Sequence, residues 1–112
     1  MNILFDPQGT FTRIALDGRL DAAGTAEVES AFSAHCSTKP NVIVDLTKVP
    51  FMASIGIRML VAGAKAQTAI GGKMVLLNPD EMARRILKTT GIEHLIKVYD
   101  SLQDAKAAVA AK

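Results

Sequence analysis

The apolar run from Val42 to Leu46, interrupted only by Asp45, is the feature that most constrains the fold of this chain. Successive side chains of a β-strand point to opposite faces of a sheet, so a run that is apolar at consecutive positions is buried on both faces. The turn sequence Lys39-Pro40-Asn41 precedes the run, and a helical pattern follows it after a short loop. A strand of this kind is typical of a parallel sheet covered by helices.

Strand and helix patterns alternate along the rest of the chain. The predicted strands are Asn2–Phe5, Phe11–Leu16, Val42–Leu46, Lys73–Leu77 and Leu95–Val98. The predicted helices are Ala22–His35, Ile55–Ile70, Glu81–Thr89 and one that opens at Ser101. The short turn between the first two strands predicts an antiparallel hairpin. We therefore expect one α/β domain over residues 1–112, with a mixed sheet of four to five strands and about four helices packed on it.

Capping residues support the predicted helix boundaries. Asp21 is placed to cap the first helix, and Gly71-Gly72 to end the second. Asn78 and Pro79 predict the start of the third helix, with Asn as N-cap and Pro at the first helical position. Gly91 is expected to stop that helix.

Helical periodicity also predicts which faces are buried. In the first helix the inward set is Val28, Ala31, Phe32 and His35, and in the second it is Ile57, Leu60, Val61 and Ala64. The opposite face of the second helix then carries Met59, Ala62, Gly63 and Ala66. Small residues with one Met are compatible with a flat docking surface, and equally with cover by a neighbouring helix.

Composition and motifs argue against several functions. The net charge of +2 is too small to indicate nucleic acid, and no apolar run approaches the ~18 residues of a membrane span. The N-terminus lacks a secretory signal, and a single cysteine, Cys36, fits a reducing cytoplasm. His35 and His94 lack the spacing of a zinc site. Gly71-Gly72-Lys73 is not a phosphate-binding loop, and the sequence has no nucleophile elbow of the kind found in hydrolases. We expect a cytoplasmic protein that is not an enzyme and has no cofactor or metal.

The segment Asp45–Leu60 is the strongest candidate for a functional site. A strand, a loop and a helix N-terminus with a hydroxyl at its mouth form a place that can hold or accept a phosphate. Ser54 can cap the helix or accept a phosphoryl group. Ile55 fits either the core or a hydrophobic partner contact. Gly56 fits either tight packing or room for a partner backbone.

This segment resembles the signature of the STAS family, the anti-sigma factor antagonists, which reads roughly D-L-S-x-V-x-F-x-D-S-S-G-L-x-x-L. The chain has Ala53 in place of the Asp of that pattern and Ile55 in place of the second Ser, which is the phosphorylated residue in regulated members. Three shorter segments are also similar to family segments and occur in the same order. They are Leu16–Ala23, Ala69–Leu77 and Thr90–Ile96.

The resemblance implies a STAS-like fold and a protein-interaction module. The implied partner is an anti-sigma factor kinase with a histidine-kinase-like ATPase fold, whose capture releases a sigma factor. The implied phosphorylation candidate is Ser54. The implied partner-binding residues are Asp21, Ser54, Ile55, Gly56, Arg58 and Met59. The alternative is a STAS interaction subunit of a non-sigma complex in signalling or lipid transport. In either case we expect a monomer or weak dimer.

Overall fold

A computed structural model of the chain describes residues 1–110. The strands are β1 (Asn2–Pro7), β2 (Thr12–Asp17), β3 (Val42–Lys48), β4 (Met74–Leu77) and β5 (Val98–Tyr99). The helices are α1 (Ala22–Thr38), α2 (Ser54–Ala69), α3 (Glu81–Thr90) and α4 (Leu102–Ala110), with a short 3-10 turn at Ile92–His94. None of these helices is long and apolar enough to cross a membrane.

The five strands form one mixed sheet in the order β1-β2-β3-β4-β5. β1 and β2 are antiparallel, and the pairs from β2 to β5 are parallel. The predicted mixed α/β sheet is therefore confirmed, with β3 as an inner strand. Each parallel crossover needs a helix, and α1, α2 and α3 supply them in turn.

The core has two layers, one on each face of the sheet. Residues of α1, α2 and α3 pack on one face around Val42, Val44 and Leu46. α4 packs on the other face against Ile43, Val75 and their neighbours. α4 packs mainly on β3, β4 and β5, so it leaves most of the same face of β1 and β2 uncovered.

Two of the expected helix signals are confirmed and one is wrong. Asp21 accepts a hydrogen bond from the Gly24 backbone N–H at 2.8 Å, and Gly91 ends α3 in the left-handed conformation with φ 74°. The N-cap of α3 is Asp80 and not Asn78, because Asp80 accepts from the Ala83 N–H at 2.8 Å. Asn78 instead turns the chain out of β4 with φ 53°.

The last strand and two helix faces also differ from the prediction. Of the strand predicted as Leu95–Val98, only Val98 lies in β5, because the preceding residues lead out of the 3-10 turn at Ile92–His94. Ala31 is exposed. Met59 and Gly63 are buried because α1 covers this side of α2, so for these two residues cover by a neighbouring helix is confirmed and the docking surface is not. A Cβ on Gly63 would lie 2.7 Å from a ring carbon of Phe32 in α1.

His35 occupies the junction between α1 and β1. Its ring stacks on Phe5 with 5.0 Å between centroids, and its Nε2 is buried without a hydrogen-bond partner. Burial lowers the pKa of His35, and the nearby Lys39 ammonium lowers it further. The neutral ring is thus the form that this junction favours.

Candidate partner-binding surface

Two loops at the carboxyl end of the sheet are joined by backbone hydrogen bonds. The loop before α1 and the loop before α2 form a parallel bridge at Leu20 and Met52. The Leu20 N–H donates to the Phe51 carbonyl, and the Ala53 N–H donates to the Leu20 carbonyl, both at 2.9 Å. Leu20 and Met52 are themselves buried in the core. The two loops therefore form one rigid segment ahead of both helices.

Gly56 permits this close approach. It is buried in the first turn of α2, and a Cβ added there would lie 2.5 Å from Leu20 Cγ and 2.8 Å from the Leu20 carbonyl oxygen. Real Cβ atoms essentially never approach so closely. Gly56 therefore positions the loops, which fits the tight-packing interpretation, and it offers no exposed side chain to a partner.

The start of α2 lacks the cap that the sequence predicts. The N-cap residue is Ala53, which has no side-chain hydrogen bond to offer, and Ser54 is the first helical residue. The expectation that Ser54 caps the helix is therefore wrong. Its side chain is exposed, and the N-terminal N–H groups of the helix beside it receive no side-chain cap.

Ile55 and Arg58 lie on the solvent-facing side of α2 with Ser54. Ile55 is 42% exposed, so it does not serve the core. Arg58 follows one turn later and is also exposed. Spacings of three and four residues place these side chains on one helix face. The result is an isolated apolar side chain beside a hydroxyl and a guanidinium.

Arg19 and Phe51 extend this surface, and sequence reasoning missed both. The Arg19 guanidinium lies 4.5 Å from the centre of the Phe51 ring, within the range of a cation–π contact. Arg19 Nε is also 3.6 Å from Asp21 Oδ2. The hydrogen bond from the Gly24 N–H lowers the pKa of Asp21, and Arg19 adds to the effect. Asp21 is therefore a fixed negative charge beside a fixed positive one.

We call this set of exposed and half-buried residues the loop surface. It consists of Arg19, Asp21, Phe51, Ser54, Ile55 and Arg58. Two residues expected at this surface are absent from it. Gly56 is buried under Leu20, and the outward placement of Met59 is wrong because its side chain is only 3% exposed.

A second polar cluster lies on the sheet face that α4 leaves uncovered. Asp45 accepts from the Thr47 N–H at 3.0 Å and pairs with Arg13 of β2. Burial raises the pKa of Asp45, but the bonds from Thr47 and Arg13 outweigh it and hold the pKa below its usual value. A groove of about 490 Å³ runs over this pair beside β1. Asp45 is thus a structural ion-pair partner inside β3 that also fixes the strand exit.

The sequence of this chain matches a known domain family over the segment that carries the loop surface. A family model of the STAS domain matches residues 4–105. The chain belongs to the STAS domain family. The match includes both joined loops and all of α2, so the loop surface lies within the family's domain.

Relatives and solved structures name one role repeatedly. A Thermotoga neapolitana protein described as an anti-sigma factor antagonist homolog is 27% identical over 57% of this chain and 57% of its own length. The match thus spans less than two thirds of that relative. The crystal structure of an anti-sigma factor antagonist from Mycobacterium paratuberculosis has a TM-score of 0.88 at 23% identity, with 98% of this chain and 94% of that chain covered. The latter likeness shows the fold alone.

The same fold also occurs in a membrane transporter. The murine solute carrier 26 family member A9 anion transporter contains a region with a TM-score of 0.77 and 19% identity, which covers 96% of this chain and 19% of that one. The STAS fold is therefore not restricted to sigma-factor regulation.

Proposed function

We propose that this chain is an anti-sigma factor antagonist that binds a serine-kinase anti-sigma factor through the loop surface and so controls release of a sigma factor. The observation that carries the proposal is Ile55, an exposed apolar side chain on a helix start that the Leu20–Met52 bridge holds rigid. An apolar contact surrounded by polar groups on a pre-organised backbone is the usual form of an interface hot spot.

Charge supports a specific docking orientation. Asp21 presents a carboxylate at the start of α1, and Arg58 presents an exposed guanidinium on the same face of α2 as Ile55. Two charges of opposite sign can align a partner that carries the complementary pair. They contribute to specificity and association rate more than to affinity.

The binding experiment compares two isoleucines of nearly equal exposure. Ile55→Asp places a carboxylate within the proposed interface, whereas Ile70→Asp places one at the far end of α2, where Ile70 is 40% exposed. We expect Ile55→Asp to weaken binding to the cognate kinase by about 2 kcal/mol or more, and Ile70→Asp to leave it within about 0.5 kcal/mol. Calorimetry with the purified kinase measures both.

The partner must first be identified by a pull-down from native cell extract read by mass spectrometry. Recovery of a kinase of the histidine-kinase-like ATPase fold supports the proposal. Recovery of a transporter or a signalling complex instead, bound at the same surface, identifies the non-sigma alternative. Wild-type affinity of the Ile55→Asp variant would move the interface elsewhere, and equal loss of binding by both isoleucine variants would contradict a specific contact at Ile55.

We propose further that this antagonist acts constitutively, with slow phosphorylation or none. Ile55, at the usual acceptor position, has no oxygen, and Ala53 supplies no carboxylate beside Ser54. Ser54 lies one residue earlier, and one residue rotates a helical side chain by about 100°. A kinase aligned to the usual position would meet the Ser54 hydroxyl poorly.

Incubation with the cognate kinase and ATP, followed by intact-mass analysis, tests constitutive action. We expect no phosphate, or slow partial addition that Ser54→Ala removes. Rapid stoichiometric addition that Ser54→Ala abolishes would refute constitutive action and assign the site. Rapid addition that survives this substitution would place the acceptor at another residue.

A further inference from the structure

The outer edge of β1 is the longest unpaired strand edge in residues 1–110. β1 lies at one end of the sheet and pairs only with β2, whereas β5 at the other end has two residues. An exposed edge carries unpaired N–H and C=O groups and is a template for pairing with another strand. No proline or lysine interrupts residues 2–6, although both are common protections of such edges.

The register of the hairpin shows which backbone groups point outward. The Gln8 N–H donates to the Phe11 carbonyl at 2.8 Å, which makes these two residues a hydrogen-bonded pair. Such pairs alternate along an antiparallel ladder. The next ones are therefore Asp6 with Arg13, Leu4 with Ala15 and Asn2 with Asp17. Ile3 and Phe5 lie at the intervening positions, so their N–H and C=O groups face away from β2.

These outward groups match a second copy of the same strand. When β1 runs antiparallel to a copy of itself about a two-fold axis at Leu4, Ile3 lies opposite Phe5 of the copy, and Phe5 opposite its Ile3. Both residues of each such pair present outward N–H and C=O groups, so each pair can exchange two hydrogen bonds. In a register displaced by one residue, a residue whose N–H and C=O face outward would lie opposite one whose N–H and C=O face β2, and the pair could not exchange hydrogen bonds. The pattern is thus self-complementary in this register.

The side chains on the uncovered face fit the same arrangement. Leu4 is 66% exposed and would face Leu4 of the copy as a non-hydrogen-bonded pair, in which side chains come closest. Asn2 would face Asp6 of the copy, and an amide can donate to a carboxylate. Pro7 has no N–H and ends the pairing beyond Asp6.

We propose that two copies of this chain associate through antiparallel pairing of their β1 edges, with Leu4 at the two-fold axis and one continuous sheet across both. The paired region is short, so the dimer forms weakly and reversibly. The site is distinct from the loop surface, and the proposal does not depend on the partner named above.

Disulfide trapping tests the register directly. In a non-hydrogen-bonded pair the two Cα atoms lie about 4.5 Å apart. Disulfide-bonded cysteines have Cα–Cα distances of about 4.4–6.8 Å, so this pair can be bridged. Leu4→Cys should therefore give a covalent dimer under mild oxidation. Leu95→Cys is the matched control, because Leu95 is 70% exposed in the 3-10 turn region. The native Cys36 does not compete, since burial raises the pKa of its thiol to about 12.

Sedimentation equilibrium measures the association without a cross-link. The wild-type mass should rise with concentration from 11.9 kDa toward twice that value. Leu4→Lys places like charges opposite each other and should weaken dimerisation at least about tenfold, while Leu95→Lys leaves it unchanged. A wild-type mass that stays at 11.9 kDa up to millimolar concentration, dimerisation that survives Leu4→Lys, or equal trapping of both cysteine variants would overturn the proposal.

Discussion

Gly56→Ala tests whether the two loops are held by close packing. In a helix, Ala is favoured over Gly by about 1 kcal/mol, so propensity alone predicts stabilisation. The added Cβ would however lie 2.5 Å from Leu20 Cγ and 2.8 Å from the Leu20 carbonyl oxygen. Leu20 is fully buried and tied through its backbone to Phe51 and Ala53, so it cannot move away easily. Overpacking of this kind costs about 1–3 kcal/mol.

The two effects oppose each other, and we expect net destabilisation of about 1–2 kcal/mol, because the upper part of the overpacking range applies when backbone is involved. Chemical denaturation followed by circular dichroism measures the free energy of unfolding. Gly63→Ala is the matched control in the same helix. Its Cβ would meet Met74 Cε at 2.7 Å, the far end of a flexible side chain, as well as the Phe32 ring.

Gly63→Ala should therefore cost less than Gly56→Ala. A Gly56→Ala protein as stable as the wild type would refute the close-packing argument. So would an equal loss in both variants.

Three further outcomes follow from the structure. Ala53→Asp should raise the free energy of unfolding by about 1 kcal/mol, measured by urea denaturation, because it restores an N-cap to α2. Between pH 7.5 and 5 the wild type should lose stability as the pH falls, because the pKa of His35 in the folded protein lies below its ordinary value of 6.5. The free energy of unfolding of His35→Phe should depend less steeply on pH. Met59→Glu should destabilise the fold by more than about 3 kcal/mol, because it buries an unpaired charge, whereas Ile55→Glu should change stability by about 0.5 kcal/mol or less; equal effects would contradict the assigned burial.

The sequence predicted the elements whose signals are local. The apolar run at β3 gave an inner strand, and Asp21 and Gly91 marked helix ends through bonds to residues a few positions away. Met59 was misplaced because α2 is covered by α1 as well as by the sheet, which widens its buried arc beyond the stripe that periodicity predicts. Asn78 is a plausible N-cap from its residue type, because Asn and Asp share that preference. The structure assigns the cap to Asp80, whose carboxylate accepts from the Ala83 N–H.

The sequence predicted the part of the candidate site that lies within one continuous segment, and it missed the contacts between distant segments. Ser54, Ile55 and Arg58 were implied by the family resemblance of the segment Asp45–Leu60, and the structure places them on one helix face. The contact of Arg19 with Phe51 joins two loops far apart in the chain, and no local pattern indicates it. Gln67 is a similar case. It is fully buried, and its amide bonds the Cys36 and Lys39 carbonyls and the Asn41 N–H, which lie in α1 and the turn before β3.

The bridge between Leu20 and Met52 has a thermodynamic consequence for association. A loop that orders on binding loses conformational entropy, and its heat capacity change exceeds what the contact area alone would give. Here the backbone of both loops is fixed before any partner arrives, so that cost falls only on exposed side chains such as Arg58. The heat capacity change of binding should therefore correspond to the apolar area of the interface, with no contribution from coupled folding.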